Sequence, residues 1–301
     1  MDKLNSFFNE LDLLCKSNSG IDTILKFLDK SAIEFKEEPL LYSSVMNEMG
    51  GYYRDLSRYD EALDSYKNAV LALEKINMLN SVEYATILVN IGNTLRLKRE
   101  FENSKKVLDN AQNILKNNVD ISDYRYLALL NTYSLLYSDM KNYEKAVFYM
   151  EQTIYGIEKM GNISSLAVTY ANLSALYDQL NYVDKFDKAF EKAYKIYTNE
   201  LNSDIPSFAG LLNTAGIHYY RISDYEKSIM YLKQSLDISN KYFGKNLNYA
   251  ITCENLSNVY IANNDILNAK QVLTEALEVY KSIRGVESEE VNRLNKELLE
   301  L

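Results

Sequence analysis

The side chains that most often carry catalysis are scarce in this sequence. His218 is its one histidine, and Cys15 and Cys253 are its two cysteines, far apart along the chain. A single imidazole and the lack of a Cys/His cluster indicate neither a histidine-based triad nor a zinc site. The phosphate-binding patterns GxxxxGK[ST] and GxGxxG are also absent from the sequence. We therefore predict no catalytic residues, no metal site and no cofactor, and we interpret His218 as a satisfied, half-buried packing residue.

A different set of polar side chains has the chemistry to hold a peptide. An asparagine recurs about every 42 residues, and arginines and other polar residues lie near several of these positions. An amide both donates and accepts hydrogen bonds, so it can bind backbone N–H and C=O groups whatever the peptide sequence. A guanidinium can form two parallel bonds with a carboxylate. The predicted peptide-binding residues are Asn47, Arg54, Asn90, Asn93, Arg96, Asn131, Ser138, Asn172, Asn213, Arg221, Asn255 and Asn258.

These residues belong to a pattern that repeats six times. A large residue recurs at spacings of 42, 42, 40, 42 and 41, at Tyr53, Leu95, Tyr137, Tyr177, Tyr219 and Tyr260. A small residue precedes each of them by three positions, at Gly50, Gly92, Ser134, Ser174, Gly216 and Ser257. A small residue lets a second helix approach closely, and the large residue one turn away fills the remaining space. Short polar turns then separate two predicted helices in each unit, so the pattern predicts antiparallel helix pairs.

We call each set of recurring residues a column, and together the columns resemble the pattern of the tetratricopeptide repeat. The shared features are a small residue three positions before a tyrosine, a six-residue step to a second large residue, and then a small residue three positions later. The period exceeds the usual ~34 residues of that repeat, and the segment YFGKNLNYAITCENLSNVY, Tyr242 to Tyr260, is similar to the longer repeats of kinesin light chains. The resemblance covers roughly residues 40–285. It implies an all-α, right-handed α-α superhelix (a solenoid) whose first helices line a concave, ligand-binding side.

The resemblance divides the chain into three parts. Residues 1–38 are predicted to form an N-terminal capping helix pair, and residues 286–301 a C-terminal capping helix. Between them we expect six repeats, at residues 40–79, 80–121, 122–162, 163–203, 204–245 and 246–285. A cap covers the apolar face that a terminal repeat would otherwise expose. For the last helix, an amphipathic element that binds a partner is the alternative.

Two details of the repeats carry further predictions. Phe186 occupies a position that is alanine or serine in the five other units, so we expect its ring to part the helices or turn toward a gap, with an irregularity near 181–190. Ser81, Ser122 and Ser203 are predicted helix N-caps.

The recurring asparagines allow two interpretations. Asn90, Asn172 and Asn255 lie five residues before the large residue, and at about 100° per residue they face away from the partner helix. Asn47, Asn131 and Asn213 lie six residues before it and are closer to the packing side. These amides either contact a ligand in a groove or bridge neighbouring first helices as a structural ladder, and the sequence leaves both open.

Composition narrows the class of partner. The net charge is −9 and the pI about 4.9, which disfavours phosphate-backbone binding. No stretch is apolar and long enough to span a membrane, and no targeting segment is evident, so we expect a cytoplasmic protein with reduced, buried or half-buried thiols. The oligomeric state stays open.

Three functions follow from these observations. The first is a non-enzymatic scaffold that binds a protein or extended peptide in its groove. The second is a peptide-sensing regulator that resembles bacterial pheromone receptors but lacks a DNA-binding domain. The third, least supported by the residues, is an enzyme that uses carboxylates alone.

Overall fold

The computed structural model describes residues 2–17, 20–201 and 205–301, and these residues form helices without any strand. The α-helices in chain order are α1 (Asp2–Lys16), α2 (Ile21–Glu34), α3 (Pro39–Asp55), α4 (Tyr59–Glu74), α5 (Val82–Leu97), α6 (Phe101–Asn118), α7 (Tyr124–Asp139), α8 (Tyr143–Met160), α9 (Ile163–Gln179), α10 (Val183–Lys195), α11 (Pro206–Arg221), α12 (Tyr225–Phe243), α13 (Leu247–Ala262), α14 (Ile266–Arg284) and α15 (Glu289–Glu300). A π-helical turn, Ile196–Glu200, follows α10. The predicted all-α helical-repeat fold is confirmed.

The helices form two compact units, Met1–Met160 and Gly161–Leu301. In the first unit, α1 and α2 precede the pairs α3–α4, α5–α6 and α7–α8. In the second unit, the pairs α9–α10, α11–α12 and α13–α14 precede α15. The first helices of successive pairs are also neighbours, α3 with α5 and α5 with α7 in one unit, α9 with α11 and α11 with α13 in the other. We call the surface that the first helices of a unit expose its first-helix face.

Small residues set how closely the two helices of a pair approach, as the sequence predicts. A Cβ placed on Gly50 would lie 2.5 Å from Cε1 of Tyr66, and one on Gly216 would lie 2.4 Å from Cγ of Leu232. Tyr66 and Leu232 are both fully buried on the second helix of their pair. At these two positions a larger side chain would therefore meet a packed side chain rather than open space.

A hydroxyl bridges the two helices in four of the six pairs. In the second and fifth repeats the first helix carries glycine, and a serine of the second helix donates to its carbonyl: Ser104 Oγ to Gly92 O at 2.7 Å, and Ser228 Oγ to Gly216 O at 2.7 Å. In the third and sixth repeats the serine is on the first helix instead, as where Ser134 Oγ donates to the Ala146 carbonyl at 2.9 Å. In each of these four pairs, one buried serine lies on either the first or the second helix, and its hydroxyl donates to a backbone carbonyl of the other helix.

Phe186 changes this arrangement in the fourth repeat. Its ring is fully buried and stacks on His218 of α11, with centroids 3.6 Å apart. Ser174, which would otherwise face the second helix, donates to Ala171 O on its own helix. The main chain of α10 stays regular across Phe186, so the irregularity expected near 181–190 is absent there. The ring turns toward the next first helix, and the helical irregularity lies further on, at the π-helical turn.

The turn inside each repeat places one residue in the left-handed region. These residues are Ser57, Arg99, Lys141, Asn181, Ser223 and Asn264, with φ between 56° and 63°. The next backbone N–H reaches back to the carbonyl of the recurring large residue, as in the 2.8 Å bond from Asn142 N to Tyr137 O. This geometry closes the first helix by a 6→1 hydrogen bond.

Glycine at such a turn should stabilise the protein. Lys141→Gly is expected to raise the free energy of unfolding by about 1 kcal/mol, because a Cβ is disfavoured at positive φ. Asn264→Gly should gain less, since asparagine tolerates this conformation. Denaturant titration of both variants measures the difference, and an equal gain or a loss for Lys141→Gly would contradict the assigned role of the turn.

The first and last helices of the chain pack against the repeats next to them. Val291 and Leu294 of α15 are buried in one core with α13 and α14, and Leu298 and Leu301 pack against it. Phe7 and Leu11 of α1 are buried with α2 and α3 in the core of the first unit. The contacts of α15 favour the capping interpretation over a free amphipathic element.

The helix starts combine two prolines with N-cap side chains, and one of the three predicted serine N-caps is observed. Pro39 and Pro206 begin α3 and α11, where a missing N–H costs little. Ser81 is an N-cap and accepts a bond from Tyr84 N at 3.1 Å. The N-cap of α7 is Asp123 rather than Ser122, because the Asp123 carboxylate accepts from Arg125 N. Ser203 lies outside the described residues.

The two thiols differ in environment. Cys253 is fully buried, and burial raises the pKa of its thiol to about 12. Cys15 is exposed, with its sulfur 2.9 Å from the Tyr52 hydroxyl, so the expectation of burial holds for only one of the pair. Within the part of the chain that the structure describes, no helix has both the length and the apolar character needed to cross a bilayer.

Candidate functional site on the first-helix faces

All twelve predicted peptide-binding residues lie on first helices, and none of them is fully buried. The first unit holds Asn47, Arg54, Asn90, Asn93, Arg96, Asn131 and Ser138. The second unit holds Asn172, Asn213, Arg221, Asn255 and Asn258. The residues thus lie on two first-helix faces, one in each unit.

Four of the asparagines bridge neighbouring first helices. Asn90 Nδ2 donates to Asn47 Oδ1 at 2.8 Å between α5 and α3, and Asn255 Nδ2 approaches Asn213 Oδ1 at 3.4 Å between α13 and α11. Each bridge joins an asparagine six residues before the large residue to one five residues before it in the next repeat. The alternating offsets in the sequence therefore match a contact between successive repeats, which is the ladder interpretation for these four residues.

Three other asparagines keep their amides free. Asn131 is half-buried on α7, and Asn172 and Asn258 are exposed on α9 and α13. Among the described residues, none of these three side chains has a hydrogen-bond partner. An unpaired amide at a surface can donate and accept toward a bound chain, so these residues fit the groove interpretation.

The three arginines are already paired with carboxylates of the same unit. Arg54 Nη2 lies 3.0 Å from Asp55 Oδ1, and Arg54 Nη1 also reaches Asn90 Oδ1 at 3.5 Å. Arg96 Nη1 lies 2.5 Å from Asp139 Oδ2, and Arg96 Nε donates to Asn93 Oδ1 at 3.0 Å. Arg221 Nη1 pairs with Asp178 Oδ2. The sequence suggested these cations for a partner's carboxylate, but each of them already forms an ion pair within the protein.

Asp178 is the centre of a buried polar cluster that the sequence did not reveal. Its side chain accepts from both Arg221 and His218, with His218 Nδ1 2.8 Å from Oδ1. Asp178 is 5% exposed and His218 2% exposed. His218 Nε2 is buried without a hydrogen-bond partner among the described residues, so the prediction of a satisfied, half-buried histidine is wrong on both counts. The Phe186 ring covers the other face of the imidazole. This cluster joins α9 to α11, and its contacts are those of a packing element.

A groove opens on the first-helix face of the first unit, beside α1. It has a volume of about 260 Å³. Its lining residues are Leu4, Phe8, Leu40, Ser43, Ser44, Asn47, Glu48, Glu83, Thr86, Ile87, Tyr124 and Arg125. Apolar walls with a few convergent polar groups are the usual composition of a binding site. Of the predicted residues, only Asn47 lies in this groove.

Glu48 is the groove residue with the most unusual surroundings. It is half-buried, and its Oε1 accepts one long bond of 3.3 Å from Asn47 Nδ2. Burial raises the pKa of the Glu48 carboxyl, and the Asn47 amide and the Arg54 charge offset part of that rise. No cation lies within ion-pair distance of Glu48 in the residues that the structure describes. The sequence offered one signal for this residue, its position directly after Asn47 on the same helix.

Comparison with known proteins agrees with the repeat pattern. Models of the tetratricopeptide repeat match residues 207–282, and residues 127–155 and 167–200. A kinesin light chain-type protein of Podosopora anserina with nearly identical tetratricopeptide-like repeats superimposes with a TM-score of 0.54 at 16% identity, covering 65% of this chain and 95% of that one. The matched segments of the chain are tetratricopeptide repeats, and the chain resembles the kinesin light chain class.

Other similar proteins differ in their described roles. The apo form of the quorum sensor NprR from B. thuringiensis superimposes with a TM-score of 0.66 at 16% identity, covering 99% of this chain and 79% of that one. The RxLR effector protein SFI4 of Phytophthora infestans is 21% identical over 214 residues, 70% of this chain. That alignment spans 63% of the length of SFI4, less than two thirds of it. At these identities the solved structures show a shared fold.

Proposed function

We propose that this protein is a non-enzymatic cytoplasmic scaffold that binds a protein or an extended peptide on its first-helix faces. The observation that carries the proposal is the groove of the first unit, where apolar walls meet side chains able to hydrogen-bond. The free amides of Asn131, Asn172 and Asn258 also lie on first-helix faces. The net charge of −9 favours a polypeptide partner over a nucleic acid.

The separation between packing and surface residues supports a binding role. The small and large columns are directed into the helix pairs, where a Cβ added to Gly50 or Gly92 would lie 2.5 Å from a side-chain atom of the second helix. The asparagines and arginines instead lie on the first-helix faces, where some of them contact a neighbouring first helix. Repeat proteins use such extended surfaces to bind partners, because each repeat adds a similar set of contact positions.

Alanine substitution separates the two roles of the asparagines. Asn131→Ala and Asn172→Ala are expected to weaken partner binding severalfold with little change in stability, because each loses only a free amide. Asn90→Ala is expected to lower the free energy of unfolding by about 1 kcal/mol, because it breaks the bridge to Asn47. Denaturant titration and binding to a peptide selected on the wild-type protein measure the two effects.

Asn258→Ala serves as a further free-amide variant on a different repeat. If Asn131→Ala and Asn172→Ala lose stability while their affinity for the partner is unchanged, the ladder interpretation extends to all the asparagines and the proposed binding role of these two residues is wrong.

A peptide-sensing regulator is a second candidate function. The similarity of fold to the quorum sensor NprR over 99% of this chain favours it. A sensor must change conformation beyond its ligand contacts. Hydrogen exchange should then show altered protection in α4 and α6 when peptide binds α3 and α5. Protection confined to the first helices would favour the scaffold.

A further inference from the structure

The charged groups in the groove of the first unit that lack an ion-pair partner are carboxylates. Arg125 is the one cation among the lining residues, and Asp123 holds it through two bonds, from Nε at 2.8 Å and from Nη2 at 2.7 Å. Glu48 and Glu83 also line the groove, and neither has an ion-pair partner within the described ranges. The groove therefore carries a net negative charge available to a ligand.

The apolar walls lie beside this charge. Phe8 is 38% exposed and Leu40 39% exposed, although other residues of the same helices are buried. Tyr124 adds a largely exposed ring. Phe8 comes from α1, so the N-terminal helix pair provides part of the binding surface as well as covering the end of the repeats. Exposed apolar side chains next to an unpaired carboxylate fit a ligand that has both an apolar and a cationic group.

We propose that this groove binds an extended peptide segment that places a lysine or arginine side chain at Glu48 and an apolar side chain against Phe8 and Leu40. The inference rests on the proposed binding function and adds the chemical class of the partner. It reverses the selectivity that the arginines suggested, since Arg54 and Arg96 are engaged by Asp55 and Asp139. A cation from the partner would give Glu48 the counter-charge that it lacks in the free protein.

Selection from an unbiased random peptide phage library tests the inference on the full-length protein. The wild type should enrich peptides that carry lysine or arginine beside leucine, isoleucine or an aromatic residue. Glu48→Lys should enrich acidic peptides instead. Thermal unfolding of each variant shows that it is folded before selection.

Affinities of the selected peptides give the sharper measurement. Glu48→Gln should weaken binding of the cationic peptides about tenfold, the usual effect of losing a charge-assisted bond. Asp64→Asn is the matched control, because it removes one carboxylate charge from the exposed surface of the second helix α4. Its affinities should equal those of the wild type.

The outcomes separate the two proposals. Enrichment of neutral or acidic peptides by the wild type, or equal losses in Glu48→Gln and Asp64→Asn, would overturn the cationic partner and leave the binding function standing. No enrichment over an empty surface would overturn both.

Discussion

Replacing Gly50 by alanine should lower the free energy of unfolding by about 2 kcal/mol, whereas replacing its neighbour Gly51 should raise it by ~0.5 kcal/mol. The added Cβ at Gly50 would lie 2.5 to 2.8 Å from three atoms of the Tyr66 ring. That ring is rigid and fully buried, so helix α3 or α4 would have to move. A Cβ on Gly51 would meet nothing within 4 Å, so alanine there only improves the helix propensity.

Denaturant titration of the two variants provides the test, and the second unit offers a repeat of it. Gly216→Ala should destabilise because its Cβ would meet Leu232 at 2.4 Å, and Gly210→Ala should not because its Cβ would meet open space. Equal effects at Gly50 and Gly51 would show that the small column does not control how closely the helices pack.

Replacing Asp178 by alanine should cost about 3 kcal/mol of stability, the range found when one partner of a buried ion pair is removed. The carboxylate accepts from His218 Nδ1 at 2.8 Å, and both groups are nearly inaccessible to water. Without Asp178, the imidazole would remain buried against Phe186 with its Nδ1 unpaired. Arg221 would lose less, because its side chain is 43% exposed and can be hydrated.

Asp139→Ala is the matched control for Asp178→Ala. Asp139 also pairs with an arginine of a neighbouring first helix, but its side chain is 42% exposed. The partner Arg96 side chain is only 12% exposed, but water reaches the Asp139 side of the pair, so the loss should be about 1 kcal/mol and smaller than the loss at Asp178. Denaturation midpoints of the two variants measure the two losses of stability. A loss at Asp139 as large as that at Asp178 would contradict the importance of burial.

The sequence predicts the helix pairs because their packing is local and periodic. The spacing of Gly50, Gly92 and Gly216 from the large column reports contacts within one helix pair, where the residue that each glycine meets follows 16 positions later. Such contacts recur in every unit, so self-alignment of the chain finds them. The alternating offsets of Asn47 and Asn90 carried the same kind of information, and the structure shows the contact between repeats that explains them.

The candidate site could not be read from the sequence to the same extent. Glu48 and Phe8 meet in one groove only because α1 lies beside α3, and α1 lacks the repeat pattern that would give its register. Asp178 and His218 lie 40 residues apart, in positions that hold other residue types in the other repeats. The pairing of Arg54 and Arg96 with nearby carboxylates likewise depends on side-chain geometry, so the sequence indicated their charge but not its availability.

Site-specific photo-crosslinking tests most directly whether the first-helix faces bind the partner. A photoreactive side chain placed at Asn131 of α7 samples this face, and one placed at Phe148, an exposed residue of the second helix α8, samples the surface of the other helix layer. With a peptide selected on the wild-type protein, we predict adducts at Asn131 and none at Phe148. Adducts at Phe148 alone would contradict the proposed function.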